Sequence, residues 1–221
     1  MPRSDPSPRS DPSPPAAADR SPAEASLRLA TPADGAACAA VYAPYVTETA
    51  ISFELVPPEA AEMAARIERI VPRTPWVLVE VEGVVRGYAY GSRHRDRAAY
   101  DWTVETTVYV DRDFGRRGIG RLAMEALLDI LRLQGAHLAV AGITPPNAGS
   151  IGLHEALGFT RAGGFEAIGH KFGAWWGVEW YALELGPRAE EPAPLVPVPA
   201  LAGTQAMAHI LARDGRGRGI R

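Results

Sequence analysis

The stretch DRDFGRRGIGRL, residues 111–122, sets Arg116, Arg117 and Arg121 among three glycines. It follows an alternating apolar run, VETTVYV (104–110), and leads into a helical one, LAMEALLDILRLQG (122–135). Such a strand-to-helix turn suits an anion. The first backbone N–H groups of a helix lack internal acceptors, and the helix dipole is positive there. Gly118 and Gly120 leave room for a phosphate against those N–H groups, and the arginines add charge. Two familiar phosphate loops do not fit. No Lys-Ser or Lys-Thr follows the glycines, and their order is Gly115-x-x-Gly118-x-Gly120 rather than GxGxxG. A solvated, arginine-rich turn explains the same dodecamer equally well, so the pattern alone leaves both readings open.

Little else in the chain carries chemistry by spacing. The histidines at 94, 137, 154, 170 and 209 show no paired ligand spacing, and the lone Cys38 excludes an intrachain disulfide and a cysteine cluster. No metal is therefore expected. Asn147, in PPNAGS, is suited to cap a helix.

The elements that must position these residues alternate along the chain. Leu27–Ala30 suits an edge strand, and Thr31-Pro32-Ala33-Asp34 gives a cap, a proline at the first helical position and an acid three residues on. The helix it opens is expected to reach about Val46. A second helix is expected over 58–71, from Met63, Ile67 and Ile70. Strand-like runs at 76–83 and 84–92 meet at Glu82-Gly83, a hairpin signal. The helix after Gly118 ends at Gly135. Strands are expected at 137–143, 164–171 and 178–185, with a short helix over 150–158. This is an α+β pattern, with antiparallel strands first and a βαβ-like crossover later.

Composition bounds the function classes. The 221 residues carry a formal charge of −3, are 47% hydrophobic and 22% charged, and include no bilayer-length apolar run. Neither nucleic acid nor membrane is expected as a partner. The N-terminus lacks the apolar region of a secretion signal, so a cytoplasmic protein is the expectation. Residues 1–26 are Pro/Ser-rich and read as a disordered tail. The ordered domain is expected over 27–186, and a Pro/Ala-rich linker and flexible tail over 187–221.

VYVDRDFGRRGIGRL resembles the acetyl-CoA pyrophosphate loop of the GNAT superfamily of N-acetyltransferases. RTPWVLVEVEGVVRGYAYG, RAAYDWTVETTVYV, LHEALGF and HKFGAWWGVEW resemble, in order and spacing, its phosphinothricin N-acetyltransferase branch. The resemblance spans about residues 27–186. Gly115 departs from it, standing where the family usually has Gln or Arg.

The resemblance implies the GNAT fold, a mixed and mostly antiparallel sheet flanked by helices. It implies acetyl transfer from acetyl-CoA to the α-amine of a small amino acid or analogue, with phosphinothricin and methionine sulfoximine the best matches. Direct attack in a ternary complex is expected, because Cys38 falls in the first helix away from the motifs. Glu105 takes the position of the branch's catalytic glutamate, and His154 is placed to donate to the departing thiolate. The backbone of Val108, Tyr109 and Val110 would follow the pantetheine arm. Arg116, Arg117, Gly118, Ile119, Gly120 and Arg121 would hold the phosphates, and Asn147 would contact the cofactor. Arg97, Phe53 and Trp175 are the implied acceptor contacts, and a homodimer is implied as well. Two alternatives stand beside this: a non-catalytic acyl-CoA sensor, which needs the loop but not Glu105, and a GNAT enzyme acting on protein N-termini.

Overall fold

A computed structural model describes residues 25–214. The expected tail over 1–26 lies outside the described residues up to position 24, and the first strand, β1 (Ala25–Leu29), begins within its last two. Helices α1 (Gly35–Glu48) and α2 (Ala60–Ile70) follow. Then come β2 (Trp76–Val81), β3 (Val84–Arg93) and β4 (Thr103–Val110). Helix α3 (Ile119–Gln134), β5 (Leu138–Ile143) and α4 (Ala148–Ala156) form the middle. The hairpin of β6 (Thr160–Lys171) and β7 (Ala174–Glu184) precedes two short helices, α5 (Val198–Leu201) and α6 (Gln205–Leu211).

The seven strands form one sheet in the order β1-β2-β3-β4-β5-β7-β6. All pairings are antiparallel except β4 with β5, which α3 connects as a parallel crossover. That is the expected α+β architecture. The Glu82-Gly83 hairpin is present, with φ of 55° and 74° at the two residues. Ahead of α1, Thr31 N–H donates to the Asp34 carboxylate at 2.8 Å, as the capping pattern requires. Gly135 ends α3 in the left-handed region, φ 84°. Strand β7 starts four residues earlier than expected and takes in Ala174–Gly177.

Two cores cover the two faces of the sheet. Helix α3 buries Leu122, Ala126, Leu127, Ile130 and Leu131 against Val77, Val79, Ala89 and Val104. On the opposite face, α1 and α2 place Cys38, Tyr42, Met63 and Ile67 over Trp76, Leu78 and Tyr88. Alternation along β4 divides the strand between these faces. Val104 belongs to the α3 side, and Tyr109 packs with Tyr42 at 4.7 Å between ring centroids on the other.

The expectation of a linker and flexible tail over 187–221 is corrected across its described part. Val198, Met207 and Ile210 are buried in the α3-side core. The Gln134 amide donates to Val196 O at 2.7 Å, and Trp102 Nε1–H to Ala193 O at 2.7 Å. Arg213 pairs with Asp129. Proline and alanine hid a few well-spaced apolar anchors. Residues 215–221, the basic end of that segment, lie outside the described residues.

Ile210→Ala is therefore expected to lower unfolding free energy by about 2–5 kcal/mol, the usual cost of truncating a buried isoleucine. Chemical denaturation measures it. An unchanged midpoint would mean that α6 does not dock.

Candidate active site

Strands β4 and β5 pair only at Thr103–Leu138, Val104–Ala139 and Glu105–Val140. Beyond that last rung β4 continues with β3, and β5 with β7, but not with each other. The edge of β4 from Thr106 to Val110 is thus unpaired by strand on one side. A cavity of about 500 Å³ fills the gap. Thr106 through Val110 form one wall, and Ala141 through Thr144 form the other. Helix α1 contributes Tyr45, whose hydroxyl donates to Val110 O at 2.6 Å.

The glycine turn closes the wide end. Gly118 caps α3 in the left-handed region, φ 81°, and offers no side chain to the N–H groups behind it. The first intrahelical bond is Leu122 N–H to Gly118 O, so the N–H groups ahead of it have no acceptor within the helix. Gly118, Ile119, Gly120 and Arg121 line the cavity, as does Arg116, itself at φ 60°. A Cβ on Gly120 would lie 3.3 Å from Val110 Cγ2 and 3.4 Å from Leu153 Cδ2, so this glycine also lets α3 and α4 meet β4. Arg117 does not line the cavity. Its guanidinium lies over the Phe114 ring at 4.7 Å, which corrects the expectation that all three arginines face one ligand. Arg121 lines the cavity while pairing with Glu125 at 2.9 Å.

Helix α4 supplies the far wall. Asn147 is its cap, accepting from Ser150 N–H at 3.1 Å, and it lines the cavity too. His154 lines the same wall and is 2% exposed. Its Nδ1 sits 2.8 Å from Ser150 O, which can only accept, so Nδ1 carries the hydrogen. Nε2 is then a lone-pair acceptor, and it has no partner. Burial pushes the imidazole pKa below its ordinary value. A neutral ring of this tautomer presents Nε2 to the cavity as an acceptor, and it becomes a donor there only after Nε2 has taken up a proton.

Glu105 marks the narrow end of the gap. It shares a sheet face with Thr107 and Tyr109, opposite Val104 and hence opposite α3. Its carboxylate Oε2 lies 3.3 Å from His94 Nδ1. His94 is a residue that sequence reasoning missed, since it was weighed only as a metal ligand. On the same face Tyr42, Arg66, Arg69, Tyr90, Ser92 and Tyr109 line a second cavity of about 340 Å³. Tyr42 donates to Glu54 at 3.0 Å, and Arg66 grips the same carboxylate through both nitrogens at 2.7 and 3.0 Å. Burial opposes ionisation of Glu54, but the Arg66 and Tyr42 bonds outweigh it and hold its pKa below normal. Burial raises the Tyr42 phenol to about 12 and lifts Tyr109 well above its ordinary value, so both remain hydroxyls.

Of the three expected acceptor contacts, Phe53 and Trp175 lie at the β6–β7 hairpin and Arg97 on the β3–β4 connection. Phe53 packs against Gly169, where an added Cβ would lie 2.2 Å from its ring. The Lys171 ammonium, nearly buried, donates to Ser52 O at 2.6 Å and ties that loop to the β6–β7 hairpin. Trp175 is 66% exposed at the start of β7, edge-on to His170. The Arg97 side chain is exposed on the β3–β4 connection and makes no hydrogen bond or ion pair among the described residues. Its neighbour Arg93 pairs with Asp101. Cys38 is fully buried and its thiol is raised to about 12 by desolvation, which removes it as a nucleophile. No group of three or more metal-ligating side chains occurs among the described residues.

Comparison with known proteins adds to this geometry. A family model described as the acetyltransferase (GNAT) family matches residues 44–159. The chain is 41% identical over 180 residues to phosphinothricin N-acetyltransferase of Streptomyces viridochromogenes, covering 81% of this chain and 95% of that one. It is 35% identical over 170 residues to L-methionine sulfoximine/L-methionine sulfone acetyltransferase of Pseudomonas aeruginosa, covering 76% and 99%. Among solved structures, a GNAT superfamily phosphinothricin acetyltransferase from Sinorhizobium meliloti, in complex with AcCoA, matches with a TM-score of 0.73. It is 34% identical, over 76% of this chain and 93% of that chain.

The lowered pKa of His154 sets a pH dependence. The folded state resists protonation that the unfolded chain accepts at about 6.5, so this residue costs stability only as pH falls below that value. Between pH 7.5 and 5.5 the wild type is expected to lose more unfolding free energy than His154→Gln, by denaturant titration at each pH. Equal losses would contradict a buried neutral imidazole.

Proposed function

The chain belongs to the acetyltransferase (GNAT) family, and from that premise we propose that it acetylates the α-amine of phosphinothricin or methionine sulfoximine. It is an acetyl-CoA-dependent acyltransferase. The observation that carries the acceptor reading is the gap between β4 and β5. It holds a cavity lined by the β4 edge and the glycine turn, and it begins just beyond the rung of Glu105, whose side chain lies on the face away from α3, where an amine can approach.

The residues present suit acetyl-CoA. Val108, Tyr109 and Val110 offer an unpaired strand edge to the amides of the pantetheine arm. Gly118, Ile119, Gly120 and Arg121 turn helix-start N–H groups toward the pyrophosphate, with Arg116 beside them. Asn147 and the bare Nε2 of His154 supply acceptors for cofactor N–H or S–H groups. An unpaired β4 N–H polarises the thioester carbonyl.

An amino-acid ammonium must lose a proton before its nitrogen can attack. Glu105 takes that proton; the free amine then forms its bond to the acetyl carbon, the thioester C–S bond breaks with the electron pair leaving on sulfur, and the second proton lost from nitrogen as the amide forms converts that thiolate to the CoA thiol. The buried, protonated Cys38 leaves direct attack as the supported route. Arg97, whose side chain has no hydrogen bond or ion pair among the described residues and which shares its connection with His94, is the proposed clamp for the acceptor's anionic group, with Phe53 and Trp175 at the rim. We place the enzyme in the cytoplasm, with neither nucleic acid nor membrane as partner. No helix among the described residues is long and apolar enough to cross a bilayer.

A homodimer is also proposed. Phe165, Ile168, Phe172 and Trp175 are all more than half exposed on the β6–β7 hairpin, and Leu55 and Val56 are also exposed, a few residues beyond Ser52, whose carbonyl Lys171 ties to that hairpin. An apolar surface of that kind suits a second copy of the chain. Sedimentation should show a dimer that Phe172→Asp with Trp175→Asp disperses. A monomeric wild type would contradict it.

Thiol release from acetyl-CoA should be rapid with phosphinothricin or methionine sulfoximine and much slower with glutamate. Glutamate's planar side-chain carboxylate leaves tetrahedral-site donors unpaired, at about 1–3 kcal/mol each. Release only with a peptide or polyamine would overturn the acceptor assignment. Glu105→Gln should lower turnover ~100- to 10,000-fold while acetyl-CoA still binds, which a non-catalytic sensor would not show.

A further inference from the structure

We infer that His94 is a positioning residue for Glu105, holding its carboxylate toward the open end of the β4–β5 gap. The inference deepens the proposed function and rests on Glu105 as the base. Glu105 has two rotatable bonds beyond its Cβ and a side chain 31% exposed, so the strand alone does not fix where its carboxylate lies. His94 lies one residue beyond β3, next to the Arg93–Val104 rung that follows Ser92–Glu105. Its Nδ1 lies 3.3 Å from Glu105 Oε2. A carboxylate only accepts, so the contact selects the tautomer with hydrogen on Nδ1.

The imidazole is itself held. Trp180 meets it edge-on at 5.6 Å from β7, and Tyr100 at 5.9 Å from the β3–β4 connection. Arg95 donates to the His94 carbonyl at 3.2 Å. The side chain is 19% exposed, less than the glutamate it touches. Three elements therefore fix a ring whose only polar side-chain contact among the described residues is the carboxylate of Glu105. A base must lie within hydrogen-bond reach of the proton that it takes, and small misplacements are costly.

The test is a double-mutant cycle read as kcat and KM for both substrates. His94→Ala should lower kcat roughly 10- to 100-fold, with KM for acetyl-CoA unchanged. His94→Asn, whose amide N–H can take the place of Nδ1–H, should recover most of that loss. Adding His94→Ala to Glu105→Gln should cost almost nothing more, because the partner it acts through is gone. Wild-type kcat in His94→Ala, or a loss that multiplies with that of Glu105→Gln, would overturn the positioning role and leave the base assignment standing. Unchanged kcat in Glu105→Gln alone would overturn both.

Discussion

The parting of β4 from β5 after the Glu105–Val140 rung is the constraint on which the site depends. A strand that loses its neighbour inside a sheet leaves N–H and C=O groups unpaired, and each such buried group costs about 1–3 kcal/mol. Only a ligand with its own amides, or water, can restore them. The protein supplies one partner from outside the sheet, the Tyr45 hydroxyl on Val110 O. The remaining edge faces a cavity rather than solvent. Around it the glycine turn and the α4 cap supply donors and acceptors at the ends of two helices.

The other face of the gap is built differently. Tyr42, Tyr88, Tyr90 and Tyr109 crowd together and are held as neutral phenols by burial. The charges there are mostly spoken for, Arg66 by Glu54 and Glu62, and Lys171 by the Ser52 carbonyl. Glu105 and His94 stand where the gap reaches this face. In the proposed reaction, cofactor and acceptor approach from opposite sides of one sheet, and the reacting atoms meet where the strands separate. This arrangement suits direct transfer, since no side chain needs to carry the acetyl group between two sites.

Much of this was legible in the sequence because it is local. The glycine turn, the Asn147 cap, the Glu82-Gly83 hairpin and the α3 face depend on residues within a few positions of one another. What stayed hidden depends on register or on distant packing. His94 meets Glu105 only because β3 and β4 pair in one register. The His154 tautomer is set by a carbonyl one helical turn away, and its neutrality by burial that no motif encodes. Arg117 looked equivalent to its neighbours until the Phe114 ring took it out of the cavity. The docking of α5 and α6 was masked because three anchors, Val198, Met207 and Ile210, are spread through a segment rich in proline and alanine.

Hydrogen–deuterium exchange with and without acetyl-CoA tests the central claim most directly. The account predicts that cofactor slows exchange in peptides spanning residues 106–110 and 115–121 together, while β2 is unaffected. Protection confined to the tyrosine-lined face around Tyr42 and Tyr90, with the β4 edge unchanged, would contradict it.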